Sequence, residues 1–340
     1  MLLRLLLILC FPLTLLSAKS KQDDYKSESK RIWQEQSQLL PPYDLHWLNE
    51  SDIHRRDFKK KLLNRGERYR EFIRVREFAT RFERSQNAGF SRQNMKKSRN
   101  KAHLPYDDTR TLRHKSDFYF AASDVHTDKQ TYIVTQAPFK KTIKDFWTAV
   151  LETKTTTIVK LMNTGETSSK IPVYYKSNSF PYKSGNWTIN FLSEQIKARN
   201  YKSKNEQKII QRWFVAKNKK TDEDRLIKHV HYENWPDRST PDPKLFAKLL
   251  EILDEKSPTL NFSTKKRRSP MLVHCKAGLG RSGTFVLAHT LRQQLLNGEK
   301  NINPAKILTL MRMQRKQLVS SGNQYQAALR AALSSVQKRL

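Results

Sequence analysis

The sequence predicts an α/β or α+β fold in one domain that covers about residues 60–340. Strand-like runs rich in β-branched and aromatic residues lie between segments whose apolar residues recur at helical spacing. One short apolar strand, residues 271–274, leads directly through a glycine-rich turn into a helix. With 340 residues, of which 37% are hydrophobic and 10% aromatic, the chain is long enough to bury a large core.

The predicted elements cover most of this domain. Apolar residues at helical spacing over residues 58–82 predict a basic amphipathic helix that faces the core, and a membrane-surface helix is the alternative. The predicted strands are residues 118–121, 131–135, 156–162, 187–192, 208–215, 226–232 and 271–274. The predicted helices are residues 139–152, 243–253, 282–296 and 303–315, with a last helix from about residue 323.

Residues 1–18 have the pattern of a signal peptide. A basic residue precedes an apolar run at residues 5–16, which is short for a membrane span, and small residues follow it. The sequence therefore predicts a secreted protein or one in the lumen of the secretory pathway, and a membrane anchor formed by the same segment is the alternative. Cleavage near Ala18 would remove Cys10 and leave Cys275 as the single cysteine.

The next segment, residues 19–60, is polar and has no sustained period. Such a composition predicts a linker or a loosely docked extension. The folded domain is then expected at residues 61–340.

The formal net charge of the chain is +33. This charge attracts anionic partners, and we expect salt-dependent binding to anionic surfaces. The sequence contains neither a zinc-finger spacing nor an RNA-binding aromatic motif, so a specific nucleic-acid partner is not expected. We also expect a monomer that needs no metal and no other cofactor.

The turn HCKAGLGRSG, residues 274–283, predicts a nucleophile inside an anion site. Glycines let successive backbone N–H groups converge on one point, and the start of a helix adds positive potential there. The same groups lower the pKa of a thiol such as Cys275, and Arg281 offers a planar fork for two phosphate oxygens. The predicted phosphate-binding residues are Lys276, Ala277, Gly278, Leu279, Gly280 and Arg281.

This combination predicts phosphoryl transfer through a phosphocysteine. A nucleotide-binding loop is the rival interpretation, but the lysine and hydroxyl residues that end such a loop are absent. A buried cysteine beside a tight turn, without chemistry, is the other alternative.

A second motif, ENWPDRSTPD at residues 233–242, supplies a candidate general acid. The leaving oxygen of a phosphate ester needs a proton, and Asp237 can donate it. Trp235, Pro236 and Pro241 suit a loop that moves as one unit and presents this carboxyl group.

These two motifs, in this order and at this spacing, resemble those of the protein-tyrosine phosphatases. The resemblance runs from about residue 65 to residue 335. Four further sequences lie in the family's order: LPYDDTR from residue 104, YIVTQAP from residue 132, DFW from residue 145 and NQY from residue 323. The resemblance implies a highly twisted mixed β-sheet flanked by α-helices and a tyrosine-phosphorylated protein or peptide as substrate.

The resemblance also implies a role for each residue of the two motifs. Cys275 would attack phosphorus, and Arg281 would bind the phosphate and the transition state. Asp237 would act as general acid and then as general base for the hydrolytic water. Ser282 would donate a hydrogen bond to the leaving thiolate, and His274 would help to set the pKa of the thiol.

Other positions either match the family or depart from it. Glu166 falls where the family has a glutamate that pairs with the loop arginine, and Gln324 matches a glutamine that assists the second step. Asn100 stands where the family has a tyrosine that walls the substrate pocket, and Ser320 stands where a glutamine usually orients the water. Lys276 also occurs in relatives that act on inositol phospholipids.

Three functions therefore stay open at the level of sequence. The first is an active protein-tyrosine phosphatase. The second is an impaired or inactive phosphatase that binds phosphoproteins. The third is a phosphatase of wider specificity for phospholipid or phosphoserine.

Overall fold

The computed structural model describes residues 25–337 except 39, 41, 83, 165, 167–171, 202–205 and 256–268. The predicted signal peptide at residues 1–18 lies outside the described residues. Within them, no helix is both long enough and apolar enough to cross a membrane.

The described chain is a mixed arrangement of strands and helices. The strands are β1 (Ile53–His54), β2 (Ala122–His126), β3 (Thr131–Gln136), β4 (Thr157–Leu161), β5 (Tyr182–Ser184), β6 (Trp187–Asn200), β7 (Gln207–Asn218), β8 (Asp224–Glu233), β9 (Met271–Cys275) and β10 (Asn301–Ile302). The helices are α1 (Tyr25–Gln38), α2 (Pro42–Glu50), α3 (Phe58–Leu63), α4 (Arg65–Ala79), α5 (Asn87–Phe90), α6 (Arg92–Met95), α7 (Ile143–Glu152), α8 (Pro243–Leu253), α9 (Gly280–Leu296), α10 (Pro304–Gln314) and α11 (Gly322–Ser334).

Eight of these strands form one mixed sheet in the order β2-β3-β9-β4-β8-β7-β6-β5. The four central strands β3, β9, β4 and β8 are parallel, and the outer strands are antiparallel to their neighbours. The predicted α/β architecture, a central mixed sheet flanked by helices, is confirmed. Parallel strands end at the same edge of a sheet, so the carboxyl ends of β4, β8 and β9 meet on one side of the molecule.

Strand β9 occupies the centre of the sheet, and all five of its residues are buried. Its side chains alternate between two cores: Val273 packs with α9, α10 and α11, whereas Leu272 packs on the opposite face with Phe146 and Trp147 of α7. A strand buried on both faces is nearly continuously apolar, and His274 is the one polar exception in β9. The position of β9 fixes Cys275 at the edge where the loops converge.

Two predicted elements, a helix and a strand, differ in position from those observed. The helix expected over residues 58–82 is divided at Asn64, whose side chain accepts a hydrogen bond from the Glu67 N–H and begins α4. The core-facing orientation is confirmed, because Phe72 and Val75 are buried. The strand expected at residues 118–121 lies instead at β2, which is more polar and is held by its pairing with β3.

The expectation of a loosely docked extension before residue 60 is wrong for the segment around α2. Leu48 is fully buried in the main core, and Ile53 pairs with Ile302 across the small sheet of β1 and β10. The Asn303 side chain donates to the Leu48 carbonyl and, at 2.7 Å, to Asp52. Isolated apolar residues in a polar segment gave no periodic signal, although Leu48 and Ile53 are buried in the main core.

We expect Leu48→Ala to destabilise the protein, because it removes a fully buried side chain and leaves a cavity. The expected cost in the free energy of unfolding is about 2–5 kcal/mol, measured by denaturant titration. Leu192→Ala on β6 is the matched control, since Leu192 is 44% exposed, and we expect a change below about 0.5 kcal/mol. Equal effects of the two substitutions would contradict the docking of α2 on the core.

Candidate active site

The predicted phosphate loop forms a nest of backbone N–H groups between the end of β9 and the start of α9. Cys275 is 3% exposed at its floor, and its sulfur accepts a hydrogen bond from the Gly278 N–H at 3.3 Å. Burial alone would raise the pKa of the thiol. The Arg281 charge, the Ser282 hydroxyl and the N–H groups of Ser282 and Leu279 outweigh burial and lower this pKa. The site therefore stabilises a thiolate.

Two glycines give the nest its shape. Gly278 has a φ of +71°, and a Cβ added there would lie 2.2 Å from the Thr135 carbonyl oxygen. A Cβ on Gly280 would lie 2.7 Å from the Ser320 hydroxyl and 2.9 Å from Oε1 of Gln324. Glycine is required at position 278, where φ is positive and an added Cβ would meet backbone atoms, whereas the atoms nearest Gly280 are ends of side chains.

A buried arginine that the sequence did not single out supports the outer side of the nest. Arg315 donates from Nε to the Gly278 carbonyl at 2.9 Å and from Nη2 to the Ala277 carbonyl at 3.3 Å. Its third contact, from Nη1, is the Ser123 hydroxyl at 3.1 Å. By turning these carbonyls outward, Arg315 leaves the N–H groups of the nest directed inward. The sequence showed only its position at the end of a predicted helix.

Arg281 connects the nest to two other segments. Its Nη1 and Nη2 atoms donate to the two carboxylate oxygens of Glu166 at 2.5 and 2.6 Å. Nη1 also donates to the Trp235 carbonyl at 3.0 Å, and Nη2 donates to Oδ1 of Asp237 at 3.0 Å. Burial opposes the charge, but Glu166, Cys275 and Asp237 raise the pKa of Arg281 above its ordinary value. The structure thus brings the predicted Glu166, Arg281 and Asp237 together.

The WPD motif lies closed against the nest, in what we call the acid loop (residues 234–241). Trp235 is fully buried, and its ring nitrogen donates to the Ser239 carbonyl at 3.1 Å, while the Pro236 carbonyl accepts from the Ser239 hydroxyl. The Asp237 side chain remains 43% exposed, and its Oδ2 lies 3.8 Å from Nζ of Lys276. The carboxyl group therefore faces the solvent-accessible mouth of the site.

Gln324 and Ser320 lie on the other side of the same mouth. Oε1 of Gln324 accepts from the Ser320 N–H at 3.0 Å, and its Nε2 donates to the Ser239 carbonyl of the acid loop at 3.2 Å. The amide thus spans the space between the start of α11 and the acid loop, above Gly280.

His274 lies behind the nest in the core. It is fully buried, and its Nε2 lies 2.7 Å from the Tyr174 hydroxyl. Burial, reinforced by the nearby Lys160 charge, lowers the pKa of His274 to about 3. A neutral ring contributes packing and hydrogen bonding to the site rather than positive charge.

The Asn100 side chain caps a turn. Its Oδ1 accepts from the Ala102 N–H at 2.9 Å and caps the short turn that follows. The adjacent Arg99 lies with its guanidinium 4.3 Å from the centroid of the Phe139 ring, and its Nε donates to the Ala137 carbonyl. In the part of the chain that the structure describes, no group of three potential metal ligands is found.

We expect Gly278→Ala to weaken binding of tungstate, a tetrahedral oxyanion, because a methyl group cannot fit against Thr135. Gly185→Ala is the matched control: Gly185 has a φ of +58°, but nothing lies within 4 Å of an added Cβ. The control should cost about 1–2 kcal/mol of stability and leave tungstate affinity unchanged. Displacement of the nest by about 1 Å should weaken binding about a hundredfold, as measured by calorimetry. Equal affinities would contradict the proposed tight contact.

Comparison with known proteins agrees with this geometry. A sequence model of the family described as protein-tyrosine phosphatase matches residues 94–334. The chain is 32% identical over 251 residues to human receptor-type tyrosine-protein phosphatase-like N, and the match covers 72% of this chain and 24% of that protein. It is 31% identical over 265 residues to rat tyrosine-protein phosphatase non-receptor type 20, with 74% and 57% covered.

A third relative, receptor-type tyrosine-protein phosphatase N2 of Macaca nemestrina, is 30% identical over 256 residues. The chain spans about a quarter of the length of the receptor-type relatives that it matches. The match of the family to residues 94–334 covers both the nest and the acid loop. The chain belongs to the protein-tyrosine phosphatase family.

Proposed function

We propose that this protein hydrolyses phosphotyrosine in proteins or peptides through a phosphocysteine intermediate. The observation that carries the proposal is the buried thiol of Cys275, whose pKa is lowered, in a nest where Arg281 and Asp237 also converge. Nucleophile, anion site and proton donor are the three requirements of this reaction. The relatives, which are named as tyrosine-protein phosphatases, support tyrosine-phosphorylated substrates.

In the first step, the Cys275 thiolate attacks phosphorus, and the sulfur–phosphorus bond forms as the bond to the tyrosyl oxygen breaks. Asp237 in its acid form gives its proton to that oxygen. The nonbridging phosphate oxygens accept hydrogen bonds from the nest and from Arg281. Since Asp237 accepts one Nη2 hydrogen of Arg281, entry of the phosphate displaces this carboxyl group toward the leaving oxygen.

In the second step, water attacks phosphorus, and Asp237 as a carboxylate accepts a proton from it. The sulfur–phosphorus bond breaks, phosphate departs, and its bonding electron pair returns to Cys275 as a thiolate. The Ser282 hydroxyl, which stabilises the thiolate form, assists this departure. Gln324 lies beside Ser320 over the nest, so its amide is the group that can orient the water.

A phosphatase of wider specificity is a second candidate. Asn100 caps its own turn and offers no aromatic ring to the substrate. Lys276 points at the mouth of the site near Asp237 and offers a cation to a second phosphate group. Comparing kcat/KM for a phosphotyrosine peptide, a phosphoserine peptide and an inositol phosphate would distinguish the two candidates. An inactive phosphoprotein-binding module is the third alternative, against which the intact Cys275, Arg281 and Asp237 count.

The proposal includes secretion and binding to anionic surfaces. Its support is the N-terminal sequence pattern together with the net charge of +33. The start of the mature chain, read by mass spectrometry of expressed protein, would test the first part. Salt-dependent retention on heparin would test the second part.

We expect Cys275→Ser to abolish turnover of an aryl phosphate while phosphate binding survives, because the nest and Arg281 remain. Rate and affinity are measured separately, by product release and by calorimetry with a phosphotyrosine peptide. Retained turnover above about one per cent of wild type would contradict a phosphocysteine, because loss of the nucleophile removes the covalent route.

We expect Asp237→Ala to slow hydrolysis by about 10²–10⁴-fold for substrates with poor leaving groups and much less for activated aryl esters. The reason is that a good leaving group departs without a proton. The measurement is the dependence of kcat on the pKa of the leaving group, with Asp242→Ala, at the N-cap of α8, as a control acidic residue near the same loop. Equal losses for all leaving groups would mean that another residue donates the proton.

A further inference from the structure

A chain of buried hydrogen bonds starts beneath the nest, at Lys160 of β4. Lys160 is 2% exposed, and its Nζ donates to the Tyr175 hydroxyl at 2.8 Å. The Tyr175 hydroxyl lies 3.0 Å from Oγ1 of Thr164, and Thr164 donates to Oε1 of Glu233 at 2.8 Å. Four side chains from separate parts of the sequence are thereby connected.

The direction of this chain follows from its donors and acceptors. The Thr164 hydroxyl hydrogen is used for the Glu233 carboxylate, so the Thr164 oxygen must accept from Tyr175. The Tyr175 oxygen must then accept from Lys160. Every hydrogen points the same way, from an ammonium group to a carboxylate, and hydrogen bonds aligned in this manner strengthen one another.

The chain of hydrogen bonds touches three parts of the site. Its first residue lies beside the end of β9, its middle lies after β4, and its last residue precedes the acid loop. Lys160 is the register partner of His274, next to the nucleophile. Thr164 lies in the segment after β4, where the Asn163 N–H donates to Glu166, the partner of Arg281. Glu233 is the last residue of β8, directly before the acid loop.

We propose that Lys160 is a positioning residue. It acts through Tyr175, Thr164 and Glu233 to hold Glu166 and the acid loop in their positions beside the nest. These hydrogen bonds connect Thr164 and Glu233, which precede Glu166 and the acid loop, whereas Arg281 contacts Glu166 and Asp237 themselves. This inference rests on the proposed phosphatase activity.

The position of Lys160 is unfavourable for folding, which argues that it serves activity. Within the described residues, no carboxylate lies within ion-pair distance of its Nζ, and burial lowers its pKa to about 7. The groups that face it are Arg212 from β7, Glu166 after β4, Tyr175, and four from β8 and β9, namely His229, His231, Glu233 and His274. Glu233 and Glu166 partly offset this shift in pKa, whereas Arg212 adds to it.

Lys160→Met, of similar shape, should therefore raise stability and lower activity. The pKa of Lys160 falls from 10.5 unfolded to about 7 folded. Below pH 7 both states carry the proton, and the folded state bears the full cost of burying the charge. Stability rises with pH between these two values as the folded state releases the proton first. We expect a larger gain in Tm for Lys160→Met at pH 6 than at pH 9.

The activity experiment compares Lys160→Met and Thr164→Val with a matched control, Lys228→Met. Lys228 is also buried, at 5%, but donates to the Ile252 carbonyl at the end of α8. We expect both test variants to slow hydrolysis of phenyl phosphate about tenfold or more, because displaced catalytic groups lose rate steeply with distance. The double variant should lose no more than the worse single one, because both break the same chain. The control should retain wild-type kcat.

Binding separates this inference from the proposed function. On a Cys275→Ser background, Lys160→Met and Thr164→Val should weaken a phosphotyrosine peptide, and Lys228→Met should not. If the wild type turns over no phosphate ester, the proposed function fails. The binding measurements then still test whether the hydrogen bonds from Lys160 position the site. If Lys160→Met and Thr164→Val behave as Lys228→Met does in both rate and affinity, or if their losses simply add, the inference is overturned. Should Lys160→Met fail to fold, Thr164→Val alone carries the test.

Discussion

The buried guanidinium of Arg281 is the group on which the arrangement of the site depends. A charge in the core is tolerated only when its hydrogen-bond donors are satisfied and an opposite charge is near. Here Glu166 supplies the charge, and the Trp235 carbonyl and Asp237 complete the set. Loss of any one partner would leave a buried N–H donor of Arg281 without a hydrogen bond, at the free-energy cost of its desolvation. The need to satisfy one side chain thus brings two distant segments of the chain onto the nest.

The same positive potential serves the thiolate and the phosphate in turn. Burial raises the pKa of Cys275, so the sulfur would be a thiol if the nest were absent. The N–H groups of Leu279 and Ser282, with Arg281, reverse this effect. Because the Gly278 backbone packs against that of Thr135, the donors of the nest are already directed inward before an anion binds. Such preorganisation is the source of electrostatic catalysis.

The residues that meet in the candidate site could be predicted from sequence because they are local. Cys275, the nest and Arg281 lie within one ten-residue turn, and the acid loop is recognised from three consecutive residues, WPD. By contrast, Lys160 was concealed in an apolar strand run, and its partners Tyr175 and Glu233 lie 15 and 73 residues away from it along the chain. Arg315 likewise reaches back to the nest from beyond α10. Contacts of this kind depend on sheet order, which local patterns do not specify.

In the proposed reaction, the hydrogen bonds that Arg281 already makes couple phosphate binding to the release of Asp237. Nη1 and Nη2 each make two hydrogen bonds, so among the described residues Nε–H is the one N–H of this guanidinium outside these contacts. A phosphate that engages Arg281 in a bidentate manner must take one hydrogen from an existing partner. Glu166 is held by two short bonds, whereas Asp237 is half-exposed and held by one. In the proposed reaction Asp237 is therefore the partner that yields, and its release at the mouth of the site would place the acid near the leaving oxygen.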